Sequence, residues 1–309
     1  MSKNAASNAG AVDEIVGIIG VGAMGGAMAR RLLHHGYRVI VRDIIAERAE
    51  TLAKLGAVPA ASAAEVARQA RIILTVVVDA QQTDDVLFGA AGVAAAAARG
   101  TVVVMCSTVA PAYAAGLPGR LASHGIAAVD APISGGPQRA EAGTLSMMAA
   151  AAPETIECVL PVLEALATRL FRVGARAGDG SAMKIVNNML AGINLAASAE
   201  SMALAERLGM DLQLVHDVIC ASSGGSWIFA DRMPRAIAAD YAPRAAAKIL
   251  AKDVGLALAA AEAAAALAAL ARAAHHVFAG TVAQGLGEAD DAAVIEYYRA
   301  LIRMAPKAV

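Results

Sequence analysis

A chain of 309 residues is long enough for two domains, and its 26 Lys and Arg against 27 Asp and Glu give a formal charge of −1, which excludes a surface built to hold nucleic acid. Hydrophobic residues make up 58% but aromatic residues only 3%; the excess is alanine, which favours many tightly packed helices over a membrane protein. Three widely spaced cysteines, Cys106, Cys158 and Cys220, have no metal-ligand spacing and read as reduced thiols in the cytoplasm, so no metal is expected.

The polar residues 1–14 lack the charged and apolar regions of a signal peptide and read as a flexible segment. Beyond them, IVGIIG (15–20), YRVIV (37–41), RIILTVVV (71–78), TVVVMC (101–106) and GIAAVD (125–130) read as strands. The first four are nearly continuous apolar runs, the pattern of strands covered on both faces. Helix-like segments such as AMGGAMARRLLHH and IAERAETLAKL lie between them, and this alternation predicts a parallel, doubly wound sheet of the Rossmann type. TLSMMAA (144–150) and TRLFRV (168–173) read as closing strands, separated by a helix that begins after Pro153.

From residue 178 the strand signal disappears, leaving long helices broken at LGMD (208–211), ASSGGS (221–226) and YAP (241–243). The predicted architecture is α/β over 15–177, then an all-helical domain over 178–309, joined by a long helix over 180–207 that bridges the two. A domain so rich in apolar helix surface is expected to make a homodimer or homotetramer. VGLALAAAEAAAALAALARAA (254–274) is the longest apolar run; its alanines, with Glu262 and Arg272 inside it, predict a packed helix rather than a membrane span.

GVGAMG places Gly20, Gly22 and Gly25 directly after the first strand and at the opening of a helix. In that context the first glycine permits a tight turn, the second lets backbone approach a pyrophosphate, and the third lets helix and strand pack closely. The helix start, including Ala23 and Met24, presents free N–H groups to the phosphates. Asp43, 18 residues beyond Gly25, stands where an acid would bind the adenosine ribose hydroxyls. An aspartate there repels a 2′-phosphate and favours NAD, whereas the adjacent Arg42 would accept NADP; the plain alternative is that Asp43 caps the next helix. The nicotinamide belongs at the ends of the central strands, where VVVDAQQ (76–82) supplies Val77 and Val78 and CSTVAP (106–111) supplies Ser107 and Thr108. Ser107 reads equally as part of a helix-start turn before Pro111.

DAPISGG (130–136) follows the strand ending at Asp130. The Ser134 hydroxyl and the unobstructed N–H groups of Gly135 and Gly136 suit a carboxylate, although an ordinary loop reads the same way. GDGSAMKIVNNML (178–190) then puts Lys184 into a largely apolar helix, with Asn187 and Asn188 just beyond. Burying an ammonium is costly, and the gain would be a base tuned toward neutrality by desolvation. With Asn188 at i+4 on the same face, the pair suits removal of a hydroxyl proton while hydride leaves carbon. The bland alternative is a lysine that snorkels to solvent.

Together GxGxxG, DAPxSGGxxxAxxG (completed by Ala140 and Gly143) and GxGxxxKxxNN (Gly178, Gly180, Lys184, Asn187, Asn188) resemble the β-hydroxyacid dehydrogenase family, the 3-hydroxyisobutyrate dehydrogenase-like enzymes. KDVGLAL, with Lys252 and Asp253, is similar to the family's KDL segment, and the resemblance runs from residue 15 onward in the correct order. It implies Lys184 as acid/base, Asn188 with Ser134, Gly135 and Gly136 as substrate holders, and Lys252 as positive charge near the nicotinamide. VVVDAQQTDDVLFG (76–89), VMCSTVAP (104–111), GGSWIFADRMPRAIAADYAPRAA (224–246) and EADDAAVIEYY (288–298) are similar to the family's L-threonate-oxidising subgroup. That likeness implies NAD-dependent oxidation of a small sugar acid, L-threonate at C2 to 2-oxo-tetronate. The rivals are tartronate semialdehyde reduction, 3-hydroxyisobutyrate oxidation, or a non-catalytic dinucleotide-binding protein. Loss of chemistry would be expected to remove the lysine, and an imine reductase would carry a different residue at Lys184. One departure is AEAAAALAALARAA (261–274), which lacks the proline-broken stretch of the subgroup.

None of the six histidines has a partner at metal-ligand spacing, and all read as structural or surface residues. The lone Trp227 reads as core packing, while the subgroup likeness puts GGSWIF at the border of the active site. Arg232, Arg235 and Arg244 are candidate contacts to a polyol or carboxylate, or plain surface charges.

Overall fold

The computed structural model describes residues 12–304, which fall into two compact units, one ending at Lys184 and the other starting at Ile185. Most of the segment read as flexible, residues 1–11, lies outside the described residues; its last three belong to the first strand, β1 (Val12–Ile19).

The first unit continues α1 (Ala23–His34), β2 (Tyr37–Arg42), α2 (Ala46–Ala53), β3 (Val58–Pro59), α3 (Ala63–Gln69), β4 (Ile72–Thr75) and α4 (Ala80–Phe88). It is completed by β5 (Val102–Met105), α5 (Pro111–Ala122), β6 (Ala127–Asp130), β7 (Ile133–Ser134), α6 (Gly136–Ala142), β8 (Leu145–Ala150), α7 (Pro153–Leu166) and β9 (Ala167–Gly174). The sheet runs β3-β2-β1-β4-β5-β6-β8-β7, with β9 beside β8. Strands β1 to β6 pair in parallel, and β8 runs antiparallel to β6 and β7. Successive side chains face opposite sides, as the period of two requires: Ile72, Leu74, Val102 and Val104 enter one core, Ile73, Val103 and Met105 the other. That is why these runs are apolar throughout.

Chain order reverses between β1 and β4, which opens the crevice where such sheets take their ligands. RIILTVVV supplies only four strand residues, Ile72–Thr75, and Val76 makes one last bond to β1, its N–H donating to the Ile19 carbonyl at 2.8 Å. The two-residue strands β3 and β7 carry too short a pattern to show in the sequence.

Helix α8 (Asp179–Arg207), 29 residues long, starts in the first unit and continues into the second. The second unit adds α9 (Leu212–Cys220), α10 (Trp227–Ile237), α11 (Ala247–Ala263), α12 (Ala269–Thr281) and α13 (Val294–Met304), with a π-helical turn at Val282–Leu286. Its breaks carry ordinary punctuation: the Asp211 carboxylate caps α9, accepting from the Gln213 and Leu214 N–H groups, and the Ser226 hydroxyl caps α10. Leu195, Ala199, Met202, Val254, Ala271 and Phe278 share its core. Gly192 lets α8 and α11 approach, since a Cβ there would meet Val254 Cγ2 at 2.5 Å.

The run 254–274 is two helices rather than one. The chain turns over residues 264–268, where Ala265 takes the left-handed φ of 51° that normally favours glycine. Burying Leu250, Val254 and Ala257 of α11 with Ala271, Ala274 and Phe278 of α12 in one core outweighs alanine's preference for an unbroken helix. The expected proline break is therefore made without proline. Among the described residues no helix is long and apolar enough to cross a membrane.

Candidate active site

Each glycine of GVGAMG has its own cause. Gly20 has φ 90°, and a Cβ on it would lie 2.4 Å from the Val76 carbonyl oxygen and 2.9 Å from Val77 Cγ1. It thus seats the β1 turn against the residues that follow β4, bringing Gly20 and Val77 together. At Gly25 a Cβ would stand 1.9 Å from the Gly20 carbonyl oxygen, so only glycine lets α1 start so close to the turn. Gly22, the N-cap of α1, has an ordinary φ of −65°, and a Cβ there would meet only Arg48 Nη1 at 3.7 Å. Packing does not demand a glycine at that position, whereas a phosphate approaching the backbone does. No side chain caps α1, so the first N–H groups of the helix, near Ala23 and Met24, are left to such a ligand. The loop therefore fits a dinucleotide.

Asp43 is buried at the end of β2 and does two jobs at once. Its Oδ2 accepts the Val21 N–H at 2.8 Å, fastening the glycine turn to β2, and its Oδ1 accepts the Ile45 N–H at 2.9 Å at the entrance to α2. Arg48 Nη1 reaches Oδ1 at 3.4 Å. Asp43 thus acts at the entry to α2, and Arg48 adds a cation beside Gly22 that the motif did not flag.

After β4, Val77 is half-buried and Val78 exposed, with the Val78 N–H donating to Gln82 Oε1 at 3.1 Å. After β5, Ser107 is buried with its hydroxyl 3.3 Å from that of Thr83, and the neighbouring Thr108 is half-buried. Cys106, beside Ser107, is also buried, and burial pushes its thiol up to about 12.

Ser134 ends β7 opposite Ser146, and Gly135 and Gly136 take φ of 138° and 76°, a turn side-chain-bearing residues rarely make. The turn runs directly into α6, whose Ala140 is buried; Gly143 closes the helix in the left-handed conformation, φ 69°, with Arg31 Nε 2.2 Å from where a Cβ would stand. Packing explains the first of these positions and helix closure the second. Its first residue, Asp130, accepts from the Gly178 N–H, the Ser181 N–H and the Ser181 hydroxyl, each at 2.8 Å. The strand end that leads into the Ser134 turn is thereby tied to the start of α8. Gly180 completes the junction, because a Cβ there would stand 2.5 Å from the Met148 carbonyl oxygen and 2.7 Å from that of Asp130. Burial raises the Asp130 carboxyl above its ordinary range, against the pull of these donors.

On α8, Lys184 is 7% exposed and Asn188 9% exposed, one turn apart on one face, while Asn187 is exposed. The Asn188 Nδ2 donates to Asp253 Oδ2 at 2.6 Å, and its Oδ1 accepts from Asn187 Nδ2 at 3.0 Å. Lys252 Nζ stands 2.7 Å from Asp253 Oδ1. Asp253, 65 residues from Asn188, is a partner that no local spacing announced.

The arginines of 224–246 belong to an ion network. Arg232 pairs with Asp231 and with Asp291 at 2.6 Å, Arg235 with Asp231 at 2.7 Å and Asp290 at 3.2 Å, and Arg244 with Asp240 at 2.7 Å. Asp290 and Asp291 are buried, and desolvation lifts Asp291 to about 6. Trp227 is 53% exposed at the start of α10, with the Arg232 guanidinium 5.9 Å from its ring centroid, which corrects the core reading of a lone aromatic. His216 stacks on Phe229 and contacts Asp217 and Cys220. Among the described residues no group of three His, Cys, Asp or Glu is arranged to hold a metal ion.

Residues 15–174 match the family model of the NAD binding domain of 6-phosphogluconate dehydrogenase, and residues 178–298 match that of NAD-binding of NADP-dependent 3-hydroxyisobutyrate dehydrogenase. The chain is 42% identical to L-threonate dehydrogenase of Cupriavidus necator, covering 92% of this chain and 95% of that one. It is 36% identical to 2-(hydroxymethyl)glutarate dehydrogenase of Eubacterium barkeri, over 92% and 94%. The crystal structure of 3-hydroxyisobutyrate dehydrogenase from Salmonella typhimurium superposes with a TM-score of 0.87 at 37% identity, over 92% of this chain and 99% of that one. With its glycine loop and two matching domains, the chain belongs to the 3-hydroxyisobutyrate dehydrogenase family, NAD(P)-dependent oxidoreductases acting on the CH–OH group of hydroxy acids.

Proposed function

We propose that the chain oxidises L-threonate at C2 to 2-oxo-tetronate, with NAD as the acceptor and Lys184 as general acid/base. The observation that carries this reading is a buried lysine one turn before a buried asparagine, on a helix whose start is bonded to the strand leading into the Ser134–Gly136 turn. The match to L-threonate dehydrogenases at 34–42% identity supports the substrate.

In this mechanism Lys184 Nζ takes the hydroxyl proton from the substrate. The bound nicotinamide supplies the hydride acceptor. Ser134 and the N–H groups of Gly135 and Gly136 hold the substrate carboxylate, and the Asn188 amide holds the hydroxyl or carboxylate beside the lysine. Gly20, Gly22, Ala23, Met24 and Gly25 cradle the pyrophosphate, with Asp43 at the ribose, Val77, Val78 and Thr108 toward the nicotinamide, and Lys252 as a nearby positive charge. In the reductive direction Lys184 returns its proton to the carbonyl oxygen.

By this reading residues 15–177 bind the cofactor, and residues 178–309 serve the substrate and assemble a homodimer or homotetramer of a cytoplasmic enzyme. The exposed Val186, Leu190 and Leu204 on α8, Leu208 just after it, and Leu214 and Val218 on α9 support that assembly.

A screen of NAD and NADP reduction with L-threonate, D-erythronate, glycerate and 3-hydroxyisobutyrate, plus reduction of tartronate semialdehyde, tests the assignment. L-threonate with NAD is expected to give the highest kcat/KM. Faster turnover of 3-hydroxyisobutyrate or of tartronate semialdehyde would overturn the substrate and leave the family unchanged.

A further inference from the structure

Asp253 is 2% exposed, on the face of α11 turned into the core of the second unit, and its carboxylate is spent on two neighbours. Oδ2 accepts the Asn188 amide at 2.6 Å, and Oδ1 faces the Lys252 ammonium at 2.7 Å as an ion pair rather than an aligned hydrogen bond. A carboxylate without a proton can only accept. It therefore draws the NH2 end of Asn188 toward itself and turns the carbonyl end toward Asn187, which donates to it at 3.0 Å. An amide left to itself has no such preference, since its two ends are nearly the same size and differ only in donor and acceptor character. Burying a carboxylate is costly, and a packed apolar residue would fill the position more cheaply. What the charge adds is direction.

We infer that Asp253 is a positioning residue: it fixes which end of the Asn188 amide meets the substrate, and it holds Lys252 in place as its counter-ion. The inference rests on the role assigned above to Asn188. It makes Asn187, Asn188, Asp253 and Lys252 one chain of polarity, in which the only formal negative charge sets every donor and acceptor. An asparagine at 253 would keep the size and still pair with Asn188, but in either sense. Asn188 would then offer the wrong end in part of the population, and substrate affinity would suffer before cofactor affinity does.

The test compares Asp253→Asn, Asp253→Glu and the exchanged pair Asn188→Asp with Asp253→Asn, in the full chain. Melting temperature, NADH affinity by fluorescence titration, and kcat and KM for L-threonate are measured, together with the side-chain amide NMR signals of selectively labelled asparagine. Asp253→Asn is expected to raise KM for the hydroxy acid at least tenfold while NADH binds as tightly or more tightly, because Lys252 has lost its counter-ion. The Asn188 amide signals should broaden or double. Asp253→Glu should restore a single set of signals and part of the KM. The exchanged pair should recover the melting temperature but not the KM, because the bond is remade with its polarity reversed.

A single unshifted set of Asn188 signals in Asp253→Asn, with KM within threefold of the parent, would overturn the proposal. So would an exchanged pair as active as the parent, since that would leave Asp253 a purely structural role. If the parent chain turns over none of the hydroxy acids, the functional reading fails by itself. The amide signals still decide whether Asp253 sets the orientation of Asn188.

Discussion

The Asp130 carboxylate and Ser181 are joined twice, through the backbone N–H and through the hydroxyl, both at 2.8 Å, although 51 residues separate them. With the Gly178 N–H on the same oxygen as the Ser181 N–H, Asp130 serves as the N-terminal cap that α8 lacks in its own sequence. Replacing it by asparagine keeps one acceptor and loses the other. Asp130→Asn is expected to lower the unfolding free energy by about 1.5–3 kcal/mol, the range for hydrogen bonds to a charged group. By displacing the helix start it should also lower kcat more than it weakens NADH. Chemical denaturation with parallel steady-state kinetics checks both parts.

The glycine turn yields a pair of opposite outcomes. Gly25→Ala drives a methyl group into the Gly20 carbonyl and is expected to destabilise the first unit severely, with loss of folded protein. Gly22→Ala meets nothing closer than Arg48 Nη1 at 3.7 Å and should cost about 1 kcal/mol or less in stability, as an altered N-cap does. It should nevertheless weaken NADH at least tenfold. Melting curves and cofactor titrations of the two variants distinguish packing from phosphate approach.

Removing the ammonium at Lys184 separates binding from chemistry. Lys184→Ala is expected to bind NADH within a fewfold of the parent but to lose about 10²–10⁴ in kcat, the range for loss of a positioned acid/base. Lys184→Arg should not rescue it, because a guanidinium does not give up its proton near neutral pH. Nearly full turnover in either variant would remove Lys184 from the proton transfer.

Asp291 gives a pH dependence with a definite sign. Its folded pKa, raised to about 6 by burial, lies above the ordinary carboxylate value, so its contribution to stability is fully present below pH of about 4 and is lost as pH rises through about 6. Relative to Asp291→Asn, the parent is expected to lose on the order of 2 kcal/mol across that interval. Denaturant titrations of both proteins at pH 4, 5, 6 and 7 measure the slope, and a constant difference would refute it.

The features legible in the sequence were those that a short window determines. Alternating burial made the central strands continuous apolar runs, and GVGAMG announced its turn because Gly20 takes a φ of 90° and Gly25 is forced by the Gly20 carbonyl just before it. Lys184 and Asn188 could be paired because a helix repeats every turn. The partners that hold this helix lie elsewhere: Asp130, bonded to Gly178, stands 48 residues before it, and Asp253, bonded to Asn188, stands 65 residues after it. No periodicity carries such distances. Arg232 and Arg235 read in the sequence either as ligand contacts or as surface charges for the same reason, since Asp290 and Asp291 reach them only in the folded unit. The turn at 264–268 was hidden by composition, because alanine propensity says helix and only the shared core of α11 and α12 says otherwise.

The double duty of Asp43 bears on how this cofactor site can change. A carboxylate that anchors Val21 and Ile45 through their N–H groups is not freely exchanged for a residue that welcomes a 2′-phosphate, because the exchange loosens the glycine turn. With the ribose role proposed for Asp43, dinucleotide preference would be coupled to the shape of the loop itself. A route from NAD to NADP would need at least two steps, the first giving Val21 another acceptor before the acid is surrendered. Arg48, already beside Gly22, would then be released from the ion pair it now makes.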